Sequence, residues 1–125
     1  MSGRTILHVE DNEPNRMIVR DLLKRTSYQL IEAQDGETGV TKALERRPDL
    51  ILMDLQLPKT SGLDAIRMLR KDAATAVTPI VAITSFALSG DDRQAIEAGA
   101  TAYIAKPYSP FDLLTLIRQL LPEAA

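Results

Sequence analysis

The chain has 125 residues, 45% of them apolar and 26% charged, with a formal net charge of −2. That length suits one domain around one core, the apolar share argues against disorder, and the charge gives no basic surface for direct nucleic-acid binding. The absence of cysteine excludes disulfides, thiolate metal sites and cysteine nucleophiles, and no apolar run approaches the length needed for membrane insertion. Met1-Ser2-Gly3-Arg4 carries no signal-peptide pattern, so the expected location is cytoplasmic.

Short apolar runs alternate with amphipathic segments along the whole chain. Thr5 to Val9, T-I-L-H-V, reads as a first strand. A helix follows from about Glu13, with Asn12 as N-cap, Pro14 in the first turn, and Met17, Ile18 and Leu22 at helical spacing. Tyr28 to Ala33 is a second strand, and the next helix runs from about Gly36 to Arg46, closed by Pro48. Leu50 to Met53 is a third strand that runs straight into Asp54. Ser61-Gly62-Leu63-Asp64 resembles a capping box with Asp in the Glu/Gln position and opens a third helix. Pro79 to Ile83 is a fourth strand, and Ser89-Gly90-Asp91-Asp92 caps a fourth helix that stops near Gly99. Ala102 to Ala105 is a short fifth strand. A last helix starts at Ser109-Pro110-Phe111-Asp112, carries Leu113, Leu116, Ile117 and Leu120, and ends before Pro122.

Five β–α units in succession imply an α/β fold with a parallel sheet and helices on both faces. Right-handed crossovers favour a five-stranded, flavodoxin-like order 2-1-3-4-5 with five flanking helices, in one domain spanning residues 1–125. In that order the carboxyl ends of strands one, three, four and five are neighbours. Glu10 and Asp11 follow strand one, Asp54 ends strand three, Thr84 ends strand four and Lys106 ends strand five. Three carboxylates in one crevice repel unless a cation lies among them, and a hard ion such as Mg²⁺ takes oxygen ligands. A metal, an ammonium and a hydroxyl around one carboxylate suit the stabilisation of a phosphoryl group in transfer. Asp54 is therefore placed as the nucleophile that would become an aspartyl phosphate.

E-D-N after strand one, L-M-D-L-Q-L-P-x-x-S-G around strand three, A-I-T after strand four and Y-I-A-K-P after strand five resemble the receiver domain of two-component response regulators. The likeness covers essentially the whole chain and is closest to free-standing receivers of the CheY and DivK kind. It implies a single-domain response regulator of a two-component or phosphorelay system. Such a protein takes phosphoryl from a phosphohistidine of a sensor histidine kinase or histidine phosphotransfer protein, and catalyses nothing beyond its own phosphorylation and autodephosphorylation. By that resemblance Asp54 is the phosphoacceptor, Asp11 a direct Mg²⁺ ligand, Glu10 a ligand largely through water, and the Gln56 main-chain carbonyl completes the protein ligands. Thr84 would hydrogen-bond the phosphoryl group, Lys106 would pair with it, and Tyr103 would be the aromatic switch. Ser85 departs from the alanine frequent at its position.

The resemblance and the turn into the last helix together imply a cis Lys106–Pro107 peptide. A downstream protein target is expected on the face of Tyr103, Tyr108 and the last helix, and kinase docking around Asn15 and Ile18. His8 is expected to be a packed strand residue. Gln56 and Phe86 would stand at the crevice rim, where only Gln56 can hold a hydrolytic water, so a long-lived phosphorylated state is expected. The rival readings are a Mg²⁺-dependent phosphohydrolase, for which no general acid beside Asp54 and no substrate cap are visible, and an interaction module with a vestigial site.

Overall fold

The computed structural model describes residues 4–85 and 91–123. Its strands are β1 (Thr5–Val9), β2 (Gln29–Ala33), β3 (Leu50–Asp54), β4 (Ile80–Thr84) and β5 (Ala102–Ala105). They alternate with helices α1 (Glu13–Leu23), α2 (Gly36–Arg46), α3 (Gly62–Lys71), α4 (Asp91–Ala98) and α5 (Pro110–Leu120). All four strand pairings are parallel, in the order β2-β1-β3-β4-β5, as the sequence pattern predicts.

Composition explains the order. The runs L-I-L-M of β3 and I-V-A-I of β4 are buried on both faces, as central parallel strands must be. The more polar Q-L-I-E-A of β2 lies at an edge. Alternation along each strand splits the core into two layers. Ile6, Leu50, Leu52, Val81 and Ile83 pack with Val19, Leu23, Leu113 and Ile117 of α1 and α5. Leu7, Val9, Ile51, Met53 and Ala82 pack with Ala43, Ala65, Ile66, Leu69 and Ala95 of α2, α3 and α4. Each large aliphatic side chain so buried contributes about 1.5–3 kcal/mol.

The helix ends follow local chemistry, with some departures from the sequence reading. Asn12 accepts the Asn15 N–H at 2.9 Å, and Asp35, which the sequence pattern did not single out, accepts the Thr38 N–H at 2.7 Å. Ser61 accepts the Asp64 N–H at 3.2 Å, but the Asp64 carboxylate bonds Arg67 at 3.0 Å, so the expected capping box is one-sided. Gly99, at φ 122°, ends α4 with its N–H on the Ala95 and Ile96 carbonyls, a backbone conformation that favours glycine. The expected cap at Ser89-Gly90 lies outside the described residues.

Helix α1 is rotated from its expected face. The buried row is Arg16, Val19 and Leu23, whereas Met17 and Ile18 are exposed and Leu22 is half-buried. One helical row can face the sheet, and the spacing i, i+3, i+7 selects the row that begins with an arginine.

The start of α3 lies directly against the end of β3. The Gly62 N–H donates to the Leu55 carbonyl at 3.1 Å, and a Cβ at Gly62 would lie 2.2 Å from the Asp54 carbonyl oxygen and 2.6 Å from the Leu55 Cα. Both obstacles are backbone and cannot rotate away. Gly62→Ala is expected to destabilise the chain by about 1–3 kcal/mol, the range for overpacking a tight site. Urea unfolding measures it, and an unchanged midpoint would refute so close an approach.

Candidate functional site

Strand register brings the polar strand ends together. Met53 lies beside Val9 and Ala82, Asp54 beside Ile83, and Thr84 beside Ala105. Backbone bonds extend the sheet one step past the strands: Glu10 N–H to the Ala33 carbonyl at 2.9 Å, Leu55 N–H to Ile83 at 3.0 Å, and Lys106 N–H to Thr84 at 2.7 Å. Glu10, Asp54 and Thr84 are buried at this edge, and Asp11 is exposed beside them.

The Lys106 ammonium joins two of the acids. Its Nζ lies 2.8 Å from Glu10 Oε1 and 2.9 Å from Asp54 Oδ2. The Gln56 N–H donates to Asp54 Oδ1 at 2.9 Å, and the Asn12 N–H donates to Glu10 Oε2 at 3.2 Å. The Lys106–Pro107 peptide is cis. Thr84 Oγ1 is fully buried and has no hydrogen-bond partner among the described residues.

The titration behaviour follows from these contacts. Burial, helped by the Glu10 charge, pushes the Asp54 carboxyl up to about 6, although Lys106 and the Gln56 N–H oppose it. Burial would also raise Glu10, but its bond to Lys106 and its other hydrogen bonds hold it below the usual carboxylate range. Burial disfavours the Lys106 charge, yet the bonds to Glu10 and Asp54 outweigh that and raise its pKa. His8 packs inside β1 with neither ring nitrogen bonded among the described residues, and burial lowers it to about 4 against the pull of Glu10 and Glu32. It is a neutral core residue.

Oxygens of Glu10, Asp11 and Asp54 all lie within 4.8 Å of one another. Three carboxylates against one ammonium leave two formal negative charges uncompensated, and the donors are all oxygen. A hard divalent cation fits both facts. Glu10 and Lys106 are paired directly.

Tyr103 and Tyr108, grouped on one face by the sequence reading, point to different places. Ile104 packs against the α1/α5 layer, so its neighbour Tyr103 projects to the opposite face, where it is 45% exposed. Tyr108 instead lines a cleft of about 360 Å³ with Asn15, Ile18, Lys106 and Pro107. Gln56 is exposed, and Phe86 lies outside the described residues. The sequence reading missed Arg16, whose guanidinium is buried beneath the Glu10 carbonyl. The signal was its place on the row of Val19 and Leu23.

The raised Asp54 pKa has a stability consequence. Between the unfolded value of 3.8 and about 6, the folded chain binds the Asp54 proton more tightly than the unfolded chain does, so this group's contribution falls as pH rises through that window. The ionised carboxylate therefore costs stability above pH 6. Asn at this position keeps an oxygen for Lys106 and removes the charge. In metal-free buffer, Asp54→Asn is expected to raise the thermal midpoint at pH 7.5, with the gain shrinking toward pH 4.5. A gain independent of pH would refute charge desolvation as the cause.

Comparison with known proteins meets the geometry at this point. The response regulator receiver domain family model matches residues 6–118. The polar-differentiation response regulator DivK of Brucella anthropi is 39% identical over 121 residues, covering 97% of this chain and 98% of that protein. Among solved structures, the receiver domain of a sensor histidine kinase from Pseudomonas aeruginosa PAO1 matches with a TM-score of 0.89 and 34% identity, covering 95% of this chain and 98% of that one. It holds a magnesium ion in its active-site cleft. The chemotaxis response regulator CheY4 of Vibrio cholerae matches with a TM-score of 0.88 at 27% identity, over 94% of this chain and 98% of that one. Receiver domains are signalling proteins rather than enzymes in the usual sense, and they interact with kinases or phosphotransfer proteins and with downstream targets. Sheet order, acidic crevice and near full-length relatives agree: the chain belongs to the response regulator receiver domains of two-component signalling.

Proposed function

We propose that this receiver accepts a phosphoryl group on Asp54 from a phosphohistidine of a sensor histidine kinase or histidine phosphotransfer protein. It then signals to a protein partner through a change of conformation. The observation that carries this reading is Asp54 itself, a buried carboxylate at the end of a central strand, held by one ammonium and one amide beside two further acids. Glu10 through water, Asp11, Asp54 and the Gln56 carbonyl would hold Mg²⁺, which when bound screens the acids from the incoming phosphoryl oxygens.

With a pKa of about 6, Asp54 is mostly ionised at neutral pH and presents an oxygen lone pair. As the new O–P bond forms, the P–N bond of the donor breaks and its electron pair returns to the imidazole nitrogen. That imidazole leaves neutral when its other nitrogen carries a proton. Lys106 turns from its carboxylate partners toward a phosphoryl oxygen, and the Thr84 hydroxyl donates to another. Thr84 is tied to Lys106 through the backbone bond between them, so both ends of β4 and β5 respond together. Tyr103, half exposed before phosphorylation, is the side chain that follows Thr84 inward.

The cleft of Asn15, Ile18 and Tyr108 opens beside Lys106 and offers the donor protein an apolar seat next to the acceptor. The output surface lies along the β5 edge of the sheet, where Tyr103 on one side and α5 on the other, with Phe111 74% exposed, are both accessible. The residue two past Thr84 in the sequence is phenylalanine, whose side chain has no hydrogen-bonding atom to hold a hydrolytic water, which favours slow loss of phosphate. No helix among the described residues is long and apolar enough to cross a membrane, and we assign the protein to the cytoplasm, where its donors present their phosphohistidines.

Acetyl phosphate with Mg²⁺ is expected to label the wild type, and Asp54→Asn is expected to abolish that label. Asp11→Asn is expected to weaken Mg²⁺ binding while leaving the far-UV spectrum unchanged. Full labelling of the Asp54 variant would end this reading. Beryllofluoride, which mimics the phosphoryl group, is expected to shift backbone amides across residues 84–112. Shifts confined to the metal ligands would show that no switch operates.

A further inference from the structure

The turn that carries Glu10 and Asp11 is held by a side chain outside the acidic crevice. Arg16 is 8% exposed, a rare degree of burial for an arginine. Its Nη1 donates to the Glu10 main-chain carbonyl at 2.8 Å, and its Nε and Nη2 reach Glu13 Oε1 at 3.1 and 3.0 Å. One guanidinium fork thus spans the residue before Asp11 and the first turn of α1.

The consequence follows from peptide geometry. The Glu10 N–H is already fixed on the Ala33 carbonyl. With the Glu10 carbonyl also fixed, both flanking peptide planes are set, because each is rigid. The plane that contains the Glu10 carbonyl also contains the Asp11 nitrogen and leads to its Cα. Among the described residues, no hydrogen bond restrains the Asp11 carboxylate itself, so its aim depends on its backbone. The same fixed planes direct the Glu10 carboxylate toward Lys106 and the Asn12 N–H.

We propose that Arg16 is a positioning residue for the acidic turn, setting Glu10 and Asp11 in the arrangement that binds a divalent cation. It rests on the metal-binding reading given above. Among the described residues Arg16 bonds the Glu10 main-chain carbonyl and Glu13 but none of the three crevice carboxylates, so it acts through the Glu10 carbonyl. Lysine keeps the charge but lacks the planar fork that serves two acceptors at once. Arg20 provides the control: it is one turn further along α1, equally cationic, and bonded to Glu13 and Glu32 rather than to Glu10.

The test is Mg²⁺ titration of full-length wild type, Arg16→Lys and Arg20→Gln, followed by backbone amide shifts and isothermal calorimetry. Arg16→Lys is expected to lose about 10–100-fold in affinity, the usual cost of removing a residue that orients metal ligands. Its metal-free spectrum is expected to change at Asp11 and Asn12 and to stay native elsewhere. Arg20→Gln is expected to bind as wild type does. Equal affinity for wild type and Arg16→Lys, or equal losses in the two variants, would overturn the positioning role while leaving the metal site standing. A wild type that does not bind Mg²⁺ would overturn the metal-binding reading and this role with it. Should Arg16→Lys fold poorly, Arg16→Met decides the matter, because it fills much of the same space against α1 and cannot donate to the Glu10 carbonyl. It is expected to lose Mg²⁺ affinity at least about tenfold while keeping a native spectrum away from the turn, and wild-type affinity would overturn the positioning role.

Discussion

Two buried carboxylates from strands far apart in sequence share a single ammonium, and the site is organised around that bridge. Lys106 stands 96 residues from Glu10 and 52 from Asp54, so its bonds close the carboxyl edge of the sheet across β1, β3 and β5. Hydrogen bonds to charged groups are worth about 1.5–3 kcal/mol each. Lys106 nonetheless cannot neutralise three acids. Burial, helped by the Glu10 charge, raises the pKa of Asp54, and the uncompensated negative charge makes the crevice receptive to a cation.

The remainder of the fold makes such an arrangement tolerable. Central strands buried on both faces hold the strand ends in fixed register, and α3 is set against the end of β3 at a distance only glycine permits. At the opposite edge of the sheet, Arg70 binds the Gly99, Thr75 and Thr78 carbonyls at 2.8, 2.9 and 2.7 Å. Its fourth bond, to Thr101 Oγ1, ties the start of β5 to the same cluster. At that end a guanidinium meets the strand-end carbonyls, whereas the carboxyl end holds a crowded set of acids and the buried Thr84 hydroxyl, which has no partner among the described residues.

That contrast has a physical meaning for signalling. On the phosphorylation proposed above, Lys106 would exchange its bonds to Glu10 and Asp54 for bonds to phosphoryl oxygens, and the Thr84 hydroxyl, without a partner among the described residues, would gain one. The backbone bond between Thr84 and Lys106 would carry such a change to both β4 and β5.

The secondary structure, and the meeting of Glu10, Asp11, Asp54 and Lys106 at one edge of the sheet, were legible in the sequence because strand runs and their order along the chain are one-dimensional properties. Apolar runs such as L-I-L-M and I-V-A-I announce central strands, and a polar residue placed just after such a run lies at the sheet edge whatever its side chain does. Glu10, Asp11, Asp54, Thr84 and Lys106 could be gathered into one crevice on that basis. Side-chain partnership and helix rotation were not legible. Which acids Lys106 bridges depends on rotamers and desolvation set by three strands at once. Met17 and Ile18 fit a helical stripe as well as their neighbours do, and only packing against the sheet selected Arg16, Val19 and Leu23 for burial. Tyr108 joined the α1 cleft, apart from Tyr103, because the chain turns between β5 and α5, a change of direction that no periodicity records. The sequence by itself determined which groups could meet at the sheet edge; the tertiary structure decided which of them bond, since that depends on neighbours brought together from distant parts of the chain.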